Sequence, residues 1–233
     1  MRALVTGAGR RLGFYLCQQL LALGWQVVGQ YRREHEGLAS LRAAGATLIQ
    51  ADFEREEEVR ALAEQVVAGP LDLLIHNASA FEPGAPTLAG ELAQFERFFR
   101  VHMQAPFLLN RLLAERLAAS GRGSIIHLTD IYIHAPPPDL AAYVATKAGL
   151  HSLAMSAARE LAPRVRVNTI EPGPILFLDE HGEAWRQQVL ARTPLGREGG
   201  LAPIWQAVQL LMENDYMTGA SLRVDGGRAL ATF

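Results

Sequence analysis

The sequence predicts one α/β domain: a doubly wound parallel sheet of about seven strands with helices on both faces. Three observations predict it. Short apolar runs alternate with helical-period segments from end to end, which is the pattern of βαβ units. Gly24 and Gly45 stand where the first two helices should stop, as C-terminal glycines do. No Pro/Ser-rich linker, repeat or low-complexity tract divides the 233 residues, and α/β domains reach that length undivided.

The elements follow in order. Residues 2–6 form the first strand, around Ala3-Leu4-Val5-Thr6, and a glycine-rich turn opens a helix over 10–23. A strand at 26–31 leads to a helix over 35–44, and a strand at 46–50 to a helix over 54–68. The strand at 71–76 precedes a long helix over 91–119. The strand at 123–129 ends before Pro136-Pro137-Pro138, a stiff loop and no domain boundary. A second long helix covers 140–161 and a strand 165–170. Helices at 183–191 and 202–213 and a strand at 221–225 complete the chain. In such a sheet, ligands bind beyond the carboxyl ends of the strands.

The bulk composition excludes several classes. A net charge of −2 leaves no electrostatic footprint for nucleic acid or an anionic membrane. No apolar run approaches the roughly 18 residues of a membrane span. Met1-Arg2 leads straight into a strand-like run, so no signal peptide is expected. The one cysteine, Cys17, permits no intrachain disulfide. The seven histidines show no metal-ligand spacing, so no metal is expected. The expectation is a soluble cytoplasmic protein.

Thr6-Gly7-Ala8-Gly9-Arg10-Arg11-Leu12-Gly13 joins the first strand to the first helix. Glycine permits the tight turn, and the helix N-terminus offers free N–H groups and a positive dipole to a phosphate. The second strand ends in Gln30-Tyr31-Arg32-Arg33. An acidic residue there would suit the ribose 2′-hydroxyl of NAD, whereas arginines suit the 2′-phosphate of NADP. The alternative is a solvated charge pair. Asp52 has two readings: an acceptor for the adenine amino group, or a cap for the helix starting near Glu54.

The chain holds one lysine and 21 arginines. That lysine follows a tyrosine by four positions in Tyr143-Val-Ala-Thr-Lys147, so the two share a helix face. Arginine cannot replace a compact ammonium beneath a reacting group. A tyrosine with an ordinary pKa near 10 exchanges protons poorly at pH 7. An ammonium about 4 Å away supplies up to roughly 4 kcal/mol toward lowering it. Lys147 is therefore expected to depress the Tyr143 pKa and make it a proton donor.

The glycine turn, Asn77-Ala78, Tyr143-xxx-Lys147, Pro172-Gly173 and Asp225-Gly226-Gly227 resemble the short-chain dehydrogenase/reductase family over essentially the whole chain. The resemblance implies a Rossmann-type sheet, a nicotinamide cofactor and a homotetramer built on the two long helices. It places the cofactor on Gly7, Arg10, Arg11, Leu12 and Gly13, then on Tyr31, Arg32, Arg33, Asp52 and Phe53. Asn77, Ala78, Ser79, Tyr143, Lys147, Pro172, Gly173 and Ile175 complete that set.

Departures from the family pattern narrow the resemblance. Arg11 replaces the middle glycine of the turn, Asp130 replaces the serine thirteen residues before the tyrosine, and Ser79-Ala80-Phe81 follows Asn77-Ala78. Together with Leu48-Ile49-Gln50-Ala51-Asp52-Phe53, Ile175-Leu176-Phe177 and Arg186-Gln187-Gln188, this set is similar to the pteridine reductases, and more so to the bacterial dihydromonapterin reductases. The resemblance then implies that Phe81 stacks on a pterin, that Arg11 and Ser79 bind both cofactor phosphates and the pterin edge, and that Asp130 and Tyr143 face the substrate. A flat bicycle rich in hydrogen-bonding atoms suits an aromatic face and a planar guanidinium. Taken alone, Phe81 reads as core before platform, and its position just after the cofactor-side strand end reverses that preference.

Asp130 can relay a proton to a ring nitrogen if burial raises its pKa. The alternative is an ionised Asp that binds loop amides. His102 stands where the resemblance implies an Asn that holds a water leading to the lysine. It reads either as a substitute or as a hydrogen-bonded helix-core histidine. Residues 178–200, including Asp179, Glu180 and His181, read as a substrate lid or a plain surface excursion. The expected activity is NADPH-dependent reduction of a dihydropterin C=N bond. A ketone reductase on the same scaffold and a non-catalytic NADP-binding sensor are the alternatives.

Overall fold

The computed structural model describes residues 1–66, 69–82, 84–178 and 181–230. The strands are β1 (Arg2–Val5), β2 (Gln26–Tyr31), β3 (Thr47–Gln50), β4 (Leu73–His76), β5 (Gly123–Leu128), β6 (Val165–Pro172) and β7 (Ser221–Val224). They form a single parallel sheet in the order β3-β2-β1-β4-β5-β6-β7. The order reverses between β1 and β4, which opens a crevice at their carboxyl ends.

Alternation along the strands sends successive side chains to opposite faces. Ala3, Val5, Leu73 and Ile75 pack with α1 (Arg11–Ala22), α2 (Glu36–Ala43) and α8 (Ala202–Glu213). Leu4, Leu74, Ile125 and Val167 pack on the other face, against α3 (Glu56–Gln65), α5 (Ala105–Ala119) and α6 (Ala141–Leu161). Both faces are thus buried, as the near-continuous apolar strand sequences require. Gly24 and Gly45 take the positive φ expected past α1 and α2, at 76° and 94°.

The predicted helix over 91–119 differs from the observed one in two ways. It begins earlier, as α4 (Leu88–Phe99), because the Thr87 hydroxyl accepts from the Gly90 amide and caps it. It is also interrupted by a π-turn, Arg100–Gln104, before α5. Pro106 explains the interruption, since it has no N–H to give the carbonyl of His102 four residues earlier. The predicted 54–68 helix is shorter, with Arg55 as its N-cap, and Val67 and Ala68 lie outside the described residues. The predicted 183–191 helix is α7 (Glu183–Ala191). Strand β6 runs two residues past its predicted end and carries Glu171 and Pro172 to the site.

Candidate active site

The glycine turn is shaped for close backbone approach. Gly7 has φ 69°, and a Cβ on Gly13 would fall 2.0 Å from the Gly7 carbonyl oxygen. Only glycine lets the first turn of α1 sit this near β1. The N-cap of α1 is Arg10, which makes no side-chain capping bond, so the leading N–H groups of the helix face outward. That cradle fits a phosphate. Arg11 is the one non-glycine residue with positive φ among the described residues, at 51°. An L-residue there is strained by roughly 1–2 kcal/mol, and its guanidinium donates to the Leu176 carbonyl.

Two residues that sequence reasoning missed hold the turn. The buried Gln30 side chain accepts from the Gly7 amide at 2.8 Å and donates to the Ala51 carbonyl at 2.6 Å. The Thr6 hydroxyl accepts from the amides of Asn77 and Ala78, each at 3.0 Å. Their signal was a polar side chain at a buried strand position. Asn77 in turn donates to the carbonyls of Thr6 and Gly7. Its side chain thus holds the turn against β4 and is committed to protein atoms.

The second-strand end limits which side chains could meet a cofactor. The Tyr31 ring is buried, with its hydroxyl donating to Glu34 at 2.8 Å. Phe53 lies in the core. Each therefore offers a ligand its main chain and little else. Arg32 forms an ion pair with Glu54 at 3.0 Å, an acid from another loop that adjacency in sequence did not reveal. Arg33 is exposed and has no ion-pair partner among the described residues. Asp52 does not cap α3. Its carboxylate accepts from the Glu54 amide at 3.0 Å, which folds the turn before the helix.

At the other end, β5 delivers Asp130 and the first two turns of α6 deliver Tyr143 and Lys147. The Tyr143 hydroxyl donates to Asp130 Oδ2 at 3.2 Å, while Asp130 Oδ1 accepts from the Tyr132 amide at 2.9 Å. One Asp130 oxygen thus binds a loop amide, as one reading expected, and the other faces the Tyr143 hydroxyl. Burial raises the Asp130 pKa, against the opposing pull of the Tyr132 amide and the Lys147 charge. Lys147 is 3% exposed and donates to the Leu128 carbonyl at 2.9 Å. Burial pulls its pKa down to about 8, with Asp130 pulling the other way.

The expectation that Lys147 acidifies Tyr143 is not met. The Tyr143 pKa stands well above 10, first because its hydroxyl is enclosed and then because the Asp130 carboxylate faces it. The ammonium lies 5.9 Å from the ring centroid and is directed at Leu128. Of the pair, the carboxyl is the group moved toward neutral pH.

Phe81 is 46% exposed and meets Tyr143 edge-on at 5.3 Å, so it is a surface at the site and not core. Gly173 packs on Asp225, where a Cβ would come within 2.6 Å. The Gly199 and Gly200 amides bind the carbonyls of Pro174 and Ile175. Between these anchors, Phe177, His181 and Trp185 pack together, and Arg186 lies over the Phe177 ring. Asp179 and Glu180 lie outside the described residues. Among the described residues, no group of three His, Cys, Asp or Glu side chains could hold a metal ion, and no helix is long and apolar enough to cross a membrane.

A glycine turn at a parallel-sheet crevice facing a Tyr/Lys helix defines a nucleotide-dependent oxidoreductase. The family model described as Enoyl-(Acyl carrier protein) reductase matches residues 7–229. A solved short chain dehydrogenase/reductase family protein superposes with a TM-score of 0.84 at 32% identity, covering 98% of this chain and 97% of that one. The chain belongs to the short-chain dehydrogenase/reductase family. Within it, the dihydromonapterin reductase of Enterobacter sp. (strain 638) is 40% identical over 97% of this chain and 96% of that protein. FolM alternative dihydrofolate reductase 1 from Brucella canis, solved in complex with NADP, has a TM-score of 0.89 at 29% identity, covering all of this chain and 95% of that one.

Proposed function

We propose that this chain is an NADPH-dependent reductase acting on the C=N bond of a dihydropterin such as dihydromonapterin. The observation that carries this reading is the hydrogen bond from Tyr143 to Asp130. The proton donor is coupled to a buried carboxyl instead of a hydroxyl. A ring nitrogen that takes up a proton as the neighbouring carbon is reduced needs an acid that holds its proton near pH 7. Asp130 is moved toward that range, and Tyr143 is moved away from it.

The turn residues Gly7, Arg10, Arg11, Leu12 and Gly13 would hold the cofactor phosphates, Arg33 the 2′-phosphate and Lys147 the nicotinamide ribose. Bound NADPH supplies the hydride. Phe81 and Arg11 present an aromatic face and a planar cation to a flat bicycle. When Asp130 is protonated it would donate across the same Oδ2–Tyr143 contact, reversing that hydrogen bond; Tyr143 or a water passes a proton to the pterin nitrogen as Asp130 replaces it, and solvent reprotonates the carboxylate. Residues 178–200 would close over the substrate as a lid on a single domain. Leu88, Leu92, Phe95 and Phe99 form an exposed apolar stripe on α4, which supports assembly through the long helices as a homotetramer. The buried single cysteine and the absence of disulfides fit a cytoplasmic setting.

The Asp130→Ser variant tests the reading. Dihydropterin reduction should fall about 100-fold, within the range for removing a general acid. Undiminished pterin turnover in that variant would remove Asp130 from the chemistry. Turnover of ketones alone by the wild type would assign the chain to ketone reduction.

A further inference from the structure

The π-turn in the long helix presents a buried histidine whose hydrogen bonds are all assigned by their neighbours. His102 is 1% exposed. Its Nε2 accepts from the Ala80 amide at 3.0 Å, and a backbone amide can only donate. Nε2 therefore carries no proton, and Nδ1 holds the ring hydrogen of the neutral imidazole. Nδ1 lies 2.8 Å from Thr146 Oγ1, so it donates there. The Thr146 hydroxyl then donates to the Tyr143 carbonyl at 2.8 Å. The Ser79 hydroxyl stands 3.0 Å from the same Nε2.

The ring is held by packing as well. Phe98 stacks on it at 5.6 Å with the planes 14° apart, and Tyr143 meets it edge-on at 5.5 Å. The extra residue of the π-turn rotates α5 by about 100° relative to an uninterrupted helix, which allows Phe98 and His102 to face the site while α5 packs in the core. Burial and the Lys147 charge hold the imidazole well below its ordinary pKa, in agreement with a ring that stays neutral.

We infer that His102 is a positioning residue, a fixed Nδ1–H imidazole that ties the substrate-platform loop, through Ala80 and Ser79, to the catalytic helix at Tyr143. It sets the spacing of Phe81 from the Tyr143 hydroxyl and carries no proton during turnover. Both nitrogens are already committed, and accepting a proton at Nε2 would expel the Ala80 amide. The inference rests on the dihydropterin-reductase reading for its choice of substrate, while its geometry does not.

Two near-isosteric substitutions separate the two arms of the bracket. His102→Asn keeps a donor near the Nδ1 position and loses the acceptor for Ala80. Its KM for dihydromonapterin should rise about tenfold or more, with a smaller fall in kcat, because an unpaired buried amide loosens the platform. His102→Gln keeps an acceptor near the Nε2 position and loses the donor to Thr146. Its kcat should fall about tenfold while KM changes less. In both, the inflections of the kcat–pH profile should stay where the wild type has them. A displaced inflection would make His102 a proton carrier. Lowered melting temperatures with unchanged kcat and KM would make it merely structural. Either result overturns the inference.

Long-range 1H–15N correlation on the 15N-labelled full chain gives a reading independent of substrate. His102 should be the neutral Nδ1–H tautomer from about pH 6 to pH 8. An Nε2–H or cationic ring overturns the inference. If the wild type reduces only ketones, the pterin reading fails, and the same kinetic comparison on a ketone still decides the role of His102.

Discussion

Replacing Lys147 with methionine should make the protein more stable and catalytically dead. The lysine is almost wholly buried, and its pKa falls from 10.5 to about 8 because burial disfavours the ammonium. A displacement of about 2.5 units at 1.36 kcal/mol each places the charged form about 3 kcal/mol above its solvated state at pH 7. Methionine keeps much of the apolar volume and removes that term. It also removes the donor to the Leu128 carbonyl, a loss of about 1–2 kcal/mol. The net expectation is a gain of about 1–2 kcal/mol at pH 7.

The sign with pH follows from proton binding. Between about 8 and 10.5 the unfolded chain holds the lysine proton and the folded chain has released it, so wild-type stability rises with pH across that window. Below it, the full penalty is present. Urea unfolding of both proteins at pH 7 and about pH 9.5 should therefore show the advantage of the methionine variant shrinking by about 2 kcal/mol at the higher pH. A variant less stable than wild type at pH 7, or a gap insensitive to pH, would mean that the buried ammonium carries no such penalty. Lys147→Arg should be destabilised and inactive, since a broad planar guanidinium does not fit the slot of a compact ammonium and, above about pH 8, cannot shed its proton as the lysine does. The chain thus keeps its one lysine where 21 arginines would not serve.

Three further outcomes are expected. Tyr143→Phe should lower kcat by about 10²–10⁴-fold, the range for a proton-transfer residue, while NADPH affinity by fluorescence titration changes little. Asp130→Asn keeps the shape of the carboxyl and removes its proton. Because Asp130 has its folded pKa raised, the folded state binds more protons than the unfolded just above pH 3.8, and wild-type stability falls as pH rises through that window. The variant should lose that dependence in urea titrations, together with the decline of activity as the carboxyl ionises. Arg33→Ser should raise the KM for NADPH about tenfold and leave that for NADH nearly unchanged, since one phosphate contact is lost in solvent.

The fold was legible because local signals agreed: apolar alternation placed all seven strands, and Gly24 and Gly45 ended their helices as expected. Tyr143, Lys147 and Asp130 were legible as residue types at fixed spacings. What the sequence concealed is three-dimensional pairing. Glu54 meets Arg32 across 22 positions, and Gln30 bonds Gly7 across 23. The direction of the Lys147 ammonium depended on a carbonyl at the end of β5, so the i, i+4 rule placed it correctly and assigned its electrostatic effect wrongly. The π-turn was foreshadowed by Pro106, a signal drowned by the thirteen helical residues after it in α5.

In the proposed reaction a Tyr143–Asp130 pair serves C=N reduction from NADPH. One measurement tests it most directly: NADPH consumption by the purified protein with dihydromonapterin, dihydrobiopterin, dihydrofolate and a panel of ketones, each beside Asp130→Ser. Rapid oxidation with a dihydropterin, little with ketones, and loss of the pterin activity in the variant are the expected results. Ketone turnover exceeding pterin turnover, or pterin turnover indifferent to the serine, would contradict that reaction.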